Sequence, residues 1–302
     1  VRFIGWVLLL VVPVGAALYG VNAYRHRFVR SNADLVKLLP PGDLTVFFAD
    51  LSAMRQAGVL RLLAGVRPAG EQEYGQFVSE TQFDFARDLS AMAGAVDGDR
   101  LYFVGRGHFD WDKLQAYAVK HGGTCRDDSC RQPGSTPGKW ADFVRVQPDV
   151  IALAVSGDRT AADLLRPPGR RLQAEIPAAP LWVTLSHALR VNPSALPAPL
   201  QMFAIDVQSA SELVLAVEPV QSATDAFEIR LHGEFENAAA ADTARVQLEM
   251  QTRALKAVLL KDDPKADAAS LTALITGGWF HSAGTQLTGG WPVRKELLAV
   301  LQ

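Results

Sequence analysis

Apolar residues run unbroken at the start of the chain and afterwards alternate or recur at helical spacing, and each change of pattern marks a predicted element. From Phe3 to Tyr24 the run FIGWVLLLVVPVGAALYGVNAY carries no charged side chain. As a helix it reaches roughly 33 Å, enough for a bilayer core. It predicts one transmembrane anchor within residues 1–28. Pro13 falls mid-span, which a membrane helix tolerates, and Trp6, Tyr19 and Tyr24 lie near the ends, as interface aromatics do. A cleaved signal peptide is the competing reading, with Val21-Asn22-Ala23 as a cleavage site. The apolar run exceeds the usual ~7–15-residue core of such a signal.

Residues 29–37 read as a short polar neck. A first unit over 38–170 then opens with Pro40-Pro41-Gly42-Asp43, a turn, and the strand Leu44 to Ala49. Asp50 or Ser52 can cap a helix through Leu63 that ends at Gly65. Phe83 to Leu89 connects to a hairpin whose turn is Asp97-Gly98. FDWDKLQAYAVKHGG follows as a helix with Asp110 near its cap and Gly122 at its end. The strands WADFVRV and VIALAVSG, split by Gln147-Pro148-Asp149, lead to a helix stopped by two prolines.

The second half, 171–302, repeats that order. FADLSAMR is matched by WVTLSHAL, and LYFVGRGHFDWDKLQ by FEIRLHGEFENAAAA, each pair a strand entering a helix. Gly107, Phe109 and Asp110 correspond to Gly233, Phe235 and Glu236. VIALAVSGDRTAADLL is matched by GTQLTGGWPVRKELLAVL. Asn237 to Lys261 predicts a long helix with Ala241, Ala244, Leu248 and Leu255 near one face, and Asp267 to Ile275 a short one. Three matches in one order predict a duplication. The expected fold is therefore α+β: an N-terminal transmembrane helix, then two related units of mainly antiparallel sheet with helices on one face.

Composition narrows the partners. With 302 residues, 49% of them hydrophobic, the chain can bury a sizeable core. Its 30 Lys plus Arg against 32 Asp plus Glu leave no overall charge to recruit nucleic acid. Charge and cysteine usage disagree about orientation. Arg25, Arg27 and Arg30 follow the apolar span while only Arg2 precedes it, which places the C-terminal part in the cytoplasm. Cys125 and Cys130, the only cysteines, sit in the polar stretch HGGTCRDDSCRQPGSTPGKW. They read most simply as a disulfide formed outside the cytoplasm. Two free thiols or a zinc site with His121 are the alternatives, but zinc wants a fourth ligand and a tighter spacing. GSTPGKW resembles a phosphate loop only by accident, since it ends in Trp140 and places Pro137 where N–H donors are needed.

Catalytic motifs are missing. No Gly-x-Ser-x-Gly elbow, His-Glu-x-x-His, dinucleotide glycine motif or EF-hand occurs. The candidates left are His108 with Asp110 and His232 with Glu234, near the corresponding strand end of each half. A histidine beside a carboxylate can move a proton or help hold a cation. Turn geometry with an acidic cap also explains these residues. Asp110 and Asp112 lack the glycine and later glutamate of a calcium loop. Nothing calls for a cofactor or a metal.

LLPPGDLTVFFADLSAMR with FARDLSAM, GDRLYFVGRGHFDWDKL, CRDDSC and VIALAVSGD resembles a family of uncharacterised, single-pass, membrane-anchored bacterial proteins. The resemblance covers the region behind the anchor, and its motifs are structural, so no catalytic residues carry over. One membrane helix followed by α+β units is also similar in layout to assembly subunits of envelope machines such as pilus and secretion platforms. The expected function is non-catalytic binding or scaffolding by a bacterial inner-membrane protein whose bulk is periplasmic. Its partners would be the membrane, through residues 3–24, and an envelope protein. An envelope hydrolase with a site between the two units, and a lipid or small-ligand binder, are the alternatives.

Overall fold

The computed structural model describes residue 29 and residues 31–56, 71–158, 160–166, 176–192, 194, 198–219, 227–262 and 276–293. The expected anchor, the far half of the helix after Asp50, the short helix from Asp267 and the terminal helix lie outside these residues. No helix among the described residues is long and apolar enough to cross a membrane.

Among the described residues twelve strands form one antiparallel sheet: β1 (Thr45–Ala49), β2 (Leu89–Asp97), β3 (Arg100–Gly107), β4 (Thr124–Arg126), β5 (Ser129–Pro133), β6 (Trp140–Gln147), β7 (Val150–Ser156), β8 (Leu181–Thr184), β9 (Glu212–Pro219), β10 (Phe227–Glu234), β11 (Trp279–Ala283) and β12 (Gln286–Val293). Their order is β11-β12-β10-β9-β8-β1-β2-β3-β7-β6-β5-β4. The two halves of the chain therefore share a sheet rather than facing each other across a cleft, because β1 pairs with β8 in the middle.

Outward from that central pair β1-β2-β3-β7-β6 and β8-β9-β10-β12-β11 follow the same order with corresponding register, and β5 and β4 extend the first side further. Phe48 stands opposite Trp182. From Phe48 the row continues through Ala93, Val104, Ala152 and Val144. From Trp182 it continues through Ala216, Arg230, Gly290 and Trp279. Along this row Gly107 and Gly233 take corresponding places, each the same distance beyond Val104 and Arg230. The Phe48 and Trp182 rings stack across the central pair at 5.9 Å.

Side chains alternate between two faces of a strand, and here both faces are covered in the first half. On the front face Val46, Phe48, Ala93, Val104, Ala152 and Trp182 form one core with Leu35, Val36 and Leu39. The segment read as a polar neck is thus helix α1 (Asn32–Lys37), held by a Ser31/Asp34 capping box. Its Leu35 and Val36 cover alanines of β2, a burial that a six-residue window cannot reveal. The 3₁₀ turn Ala161–Leu165 covers the rest.

Helices also line the back face, so the expectation of helices on one face fails. Helix α2 (Leu51–Gln56) starts where Asp50 accepts the Ala53 N–H at 2.8 Å. Helix α3 (Glu71–Thr81), which the apolar pattern did not announce, packs its Phe77 edge-on to Tyr117 of α5 (Trp111–Lys120). The connection before β2 contains one short turn, α4 (Phe85–Asp88). Two helices, α6 (His187–Val191) and α7 (Ala198–Asp206), precede β9. Helix α8 (Ala238–Asp262) buries Ala241, Ala244 and Leu248 against Leu213, Leu231, Phe280 and Leu287.

Candidate functional site

Several front-face positions that are apolar in the first half are polar in the second. Tyr102 corresponds in register to Glu228, Val104 to Arg230, Arg106 to His232, Ala95 to Glu218 and Val150 to Thr288. Where α1 and the 3₁₀ turn bury Ala95, Tyr102, Val104 and Val150, Glu218, His232 and Thr288 of the second set line an open concavity of about 340 Å³. Its walls carry Glu212, Glu218, His232, Glu234 and Thr288, with Val214 and Ala216 at the floor and Pro177 and Ala178 at one rim.

Strand period alone puts these groups together, since Glu228, Arg230, His232 and Glu234 are alternate residues of β10. Arg230 lies 2.8 Å from Glu228 and 3.4 Å from Glu218. His232 Nε2 lies 4.0 Å from Glu218 Oε1. The Arg230 guanidinium sits over the Trp279 ring at 5.8 Å, while the indole N–H donates to Glu228 at 2.9 Å. Glu234 accepts the Thr285 hydroxyl. Glu218 thus faces the hollow held between Arg230 and His232, beside Glu212 and Glu234. The charge of the hollow itself is negative, which favours a cationic group in it.

The four candidate residues do not meet. β1 and β8 run in opposite directions, so β3 and β10 end at opposite ends of the sheet, about 24 Å apart in strand spacings alone. His108 and Asp110 line a separate shallow groove with Trp111, Asp112 and Arg145. There Asp110 is the N-cap of α5, accepting the Lys113 N–H at 3.2 Å, and that hydrogen bond holds its carboxyl below the usual range. The His108 backbone N–H donates to Asp88 at 2.9 Å. Of the four, His232 and Glu234 share the concavity and His108 and Asp110 do not.

Cys125 and Cys130 are directly opposed on β4 and β5 and joined as a disulfide. That removes both as metal ligands. His121 instead lies against the Tyr117 ring at 4.2 Å and 3.4 Å from Glu80. Glu80 is drawn down to about 2, first by the hydrogen bond from Lys120. No group of three metal-ligating side chains occurs among the described residues. The reading from sequence missed Glu212, Glu218 and Arg230; the alternation EIRLHGE could have placed Arg230 beside His232 and Glu234, whereas Glu212 and Glu218 come from β9.

The molecule belongs to the α+β class, a large antiparallel sheet flanked by helices. No family model and no curated protein matches the sequence. Among solved structures it is similar to crystal form I of TP0453, with a TM-score of 0.50 at 10% identity, covering 88% of this chain and 96% of that one. Crystal form III of TP0453 scores 0.47 at 10% identity over the same 88%. At such identity the likeness to form I is one of fold.

Proposed function

We propose that this chain is a non-catalytic, membrane-anchored, extracytoplasmic protein that works by binding, with the carboxylate-lined concavity on the front of β9, β10 and β12 as its binding site. The observation that carries the reading is the polar face itself. A solvent-open hollow lies over Val214, Ala216, Glu218 and Thr288, whose register counterparts Ala91, Ala93, Ala95 and Val150 are buried in the core that α1 covers. A cationic group on a small molecule or an envelope partner protein is the ligand chemistry that its glutamates favour. The hydrolase reading loses its four-residue site with the separation of His108 and Asp110 from His232 and Glu234. The two halves, 38–170 and 171–302, we take as copies of one duplicated unit, supported by their common strand order and register. The anchor at residues 3–24 and the absence of nucleic acid among the partners remain part of this proposal on sequence grounds.

Titration with spermidine by calorimetry tests the site. Binding that weakens at least about tenfold in Glu218→Gln/Glu234→Gln supports it, whereas no heat, or equal heat from both proteins, sinks it. Location is tested separately by alkylating thiols in intact cells with and without reductant. Cys125 and Cys130 blocked until reduction fit an oxidising compartment. Free alkylation without reductant would return the domain to the cytoplasm.

A further inference from the structure

The chain enters the described fold without slack. Val29 is 8% exposed and packs in the front-face core with Leu35, Val36 and Leu39. Arg106, near the end of β3, donates from one guanidinium nitrogen to the Val29 carbonyl at 3.1 Å and to the Ser31 carbonyl at 3.3 Å. Its Nε lies 3.8 Å from Asp149, in the turn before β7. Ser31 and Asp34 then close the capping box of α1, and the Asn32 amide donates to Asp50, just beyond β1, at 3.0 Å. A free linker would leave these carbonyls to water. Here the protein satisfies them, so Val29, Ser31 and α1 belong to the body.

Given the anchor proposed at residues 3–24, on which this rests, we infer that the end of the sheet where β3 finishes and β7 begins is the surface this chain turns to the lipid bilayer. Tyr24 and Val29 are five residues apart, a reach of at most about 18 Å when fully extended. Val29 is held at Arg106, so Arg106, Pro148 and Asp149 stay close to the apolar span whatever path the chain takes between them. Asp99, in the turn at the other end of the β2–β3 hairpin, stands about 20 Å farther along the strand. Arg25, Arg27 and Arg30 fall in the same few positions of the sequence, and their charge suits the phosphates of lipid headgroups. The carboxylate-lined hollow is not held at this end. It lies four to five strands from β3, about 19–24 Å across the sheet, and its glutamates would be repelled by the same phosphates.

The full chain in vesicles of phosphatidylcholine and phosphatidylglycerol with nitroxide-labelled headgroups tests this orientation. Pro148→Cys and Asp99→Cys, both at exposed positions, each supply one reactive thiol, because Cys125 and Cys130 are joined to each other. A fluorophore at position 148 should be quenched at least about threefold more than one at position 99, given the roughly 20 Å between the two ends of the hairpin. A Gly-Ser insert of about fifteen residues between positions 28 and 29 should bring the two signals together while the protein still floats with the vesicles. Equal quenching without the insert, or stronger quenching at position 99, overturns the inference. So does a difference that survives the insert, since something other than the short neck would then hold the sheet. Protein that fails to float removes the anchor and this orientation with it, so flotation tells the two failures apart.

Discussion

Asp206 at the end of α7 shows what one buried group can do to stability. It is 9% exposed, its Oδ2 has no hydrogen-bond partner among the described residues, and burial lifts its carboxyl to about 6. Below about pH 4 the carboxyl is neutral in both folded and unfolded chains, and the folded state carries its full share of stability. As pH rises from about 4 to 6 the unfolded chain ionises while the fold resists, so stability falls across that window, by roughly 2–3 kcal/mol in all. Thermal melts of Asp206→Asn against wild type should diverge between those pH values in favour of the variant. Parallel profiles would mean that the carboxyl is hydrated. Gly94 is legible only in the fold: a Cβ there would stand 2.1 Å from the Phe47 ring, so this strand position must be glycine for the ring to lie across it.

Among elements, the β4–β5 hairpin depends most on a single bond. Cys130 is buried against Trp111, Leu114 and Ala118, and Cys125 packs beside it. The disulfide therefore ties β4 to β5 and packs that end of the sheet against α5. Cys125→Ala/Cys130→Ala should cost about 2 kcal/mol, the value for so short a loop. Hydrogen exchange should quicken first in β4 and β5, and a uniform quickening would deny the hairpin this local role. Elements with a strong pattern of their own were readable in sequence. The alternating strands β6 and β7, the Asp110 cap and the long α8 all lie within a residue or two of expectation. Weakly patterned α3 was not readable, because its aromatic residues make sense only against Tyr117, Phe83 and Phe85 of other segments.

The molecule as a whole hangs on the β1–β8 pair. β1 is central, with a partner on each side, and Phe48 and Trp182 bury each other across the junction. Cutting there would expose a strand edge and the Trp182 ring together. Residues 171–302 expressed alone should therefore self-associate or precipitate, as size-exclusion chromatography would show. A folded, soluble monomer would mean that the halves are independent domains. The similarity to TP0453, spread over 88% of this chain, likewise spans both halves and not one of them.

The sequence by itself determined the α+β class, most strands, the caps and the cysteine pair, because period, turn residues and caps act over a few neighbours. It also held the repeated order of elements. Only the tertiary structure decided that the halves merge into one sheet, that helices cover both faces, and that His108 and Asp110 stand far from His232 and Glu234. Those outcomes depend on which strands pair and in which direction, and strand pairing joins residues more than a hundred positions apart, such as Phe48 and Trp182, that no local pattern relates.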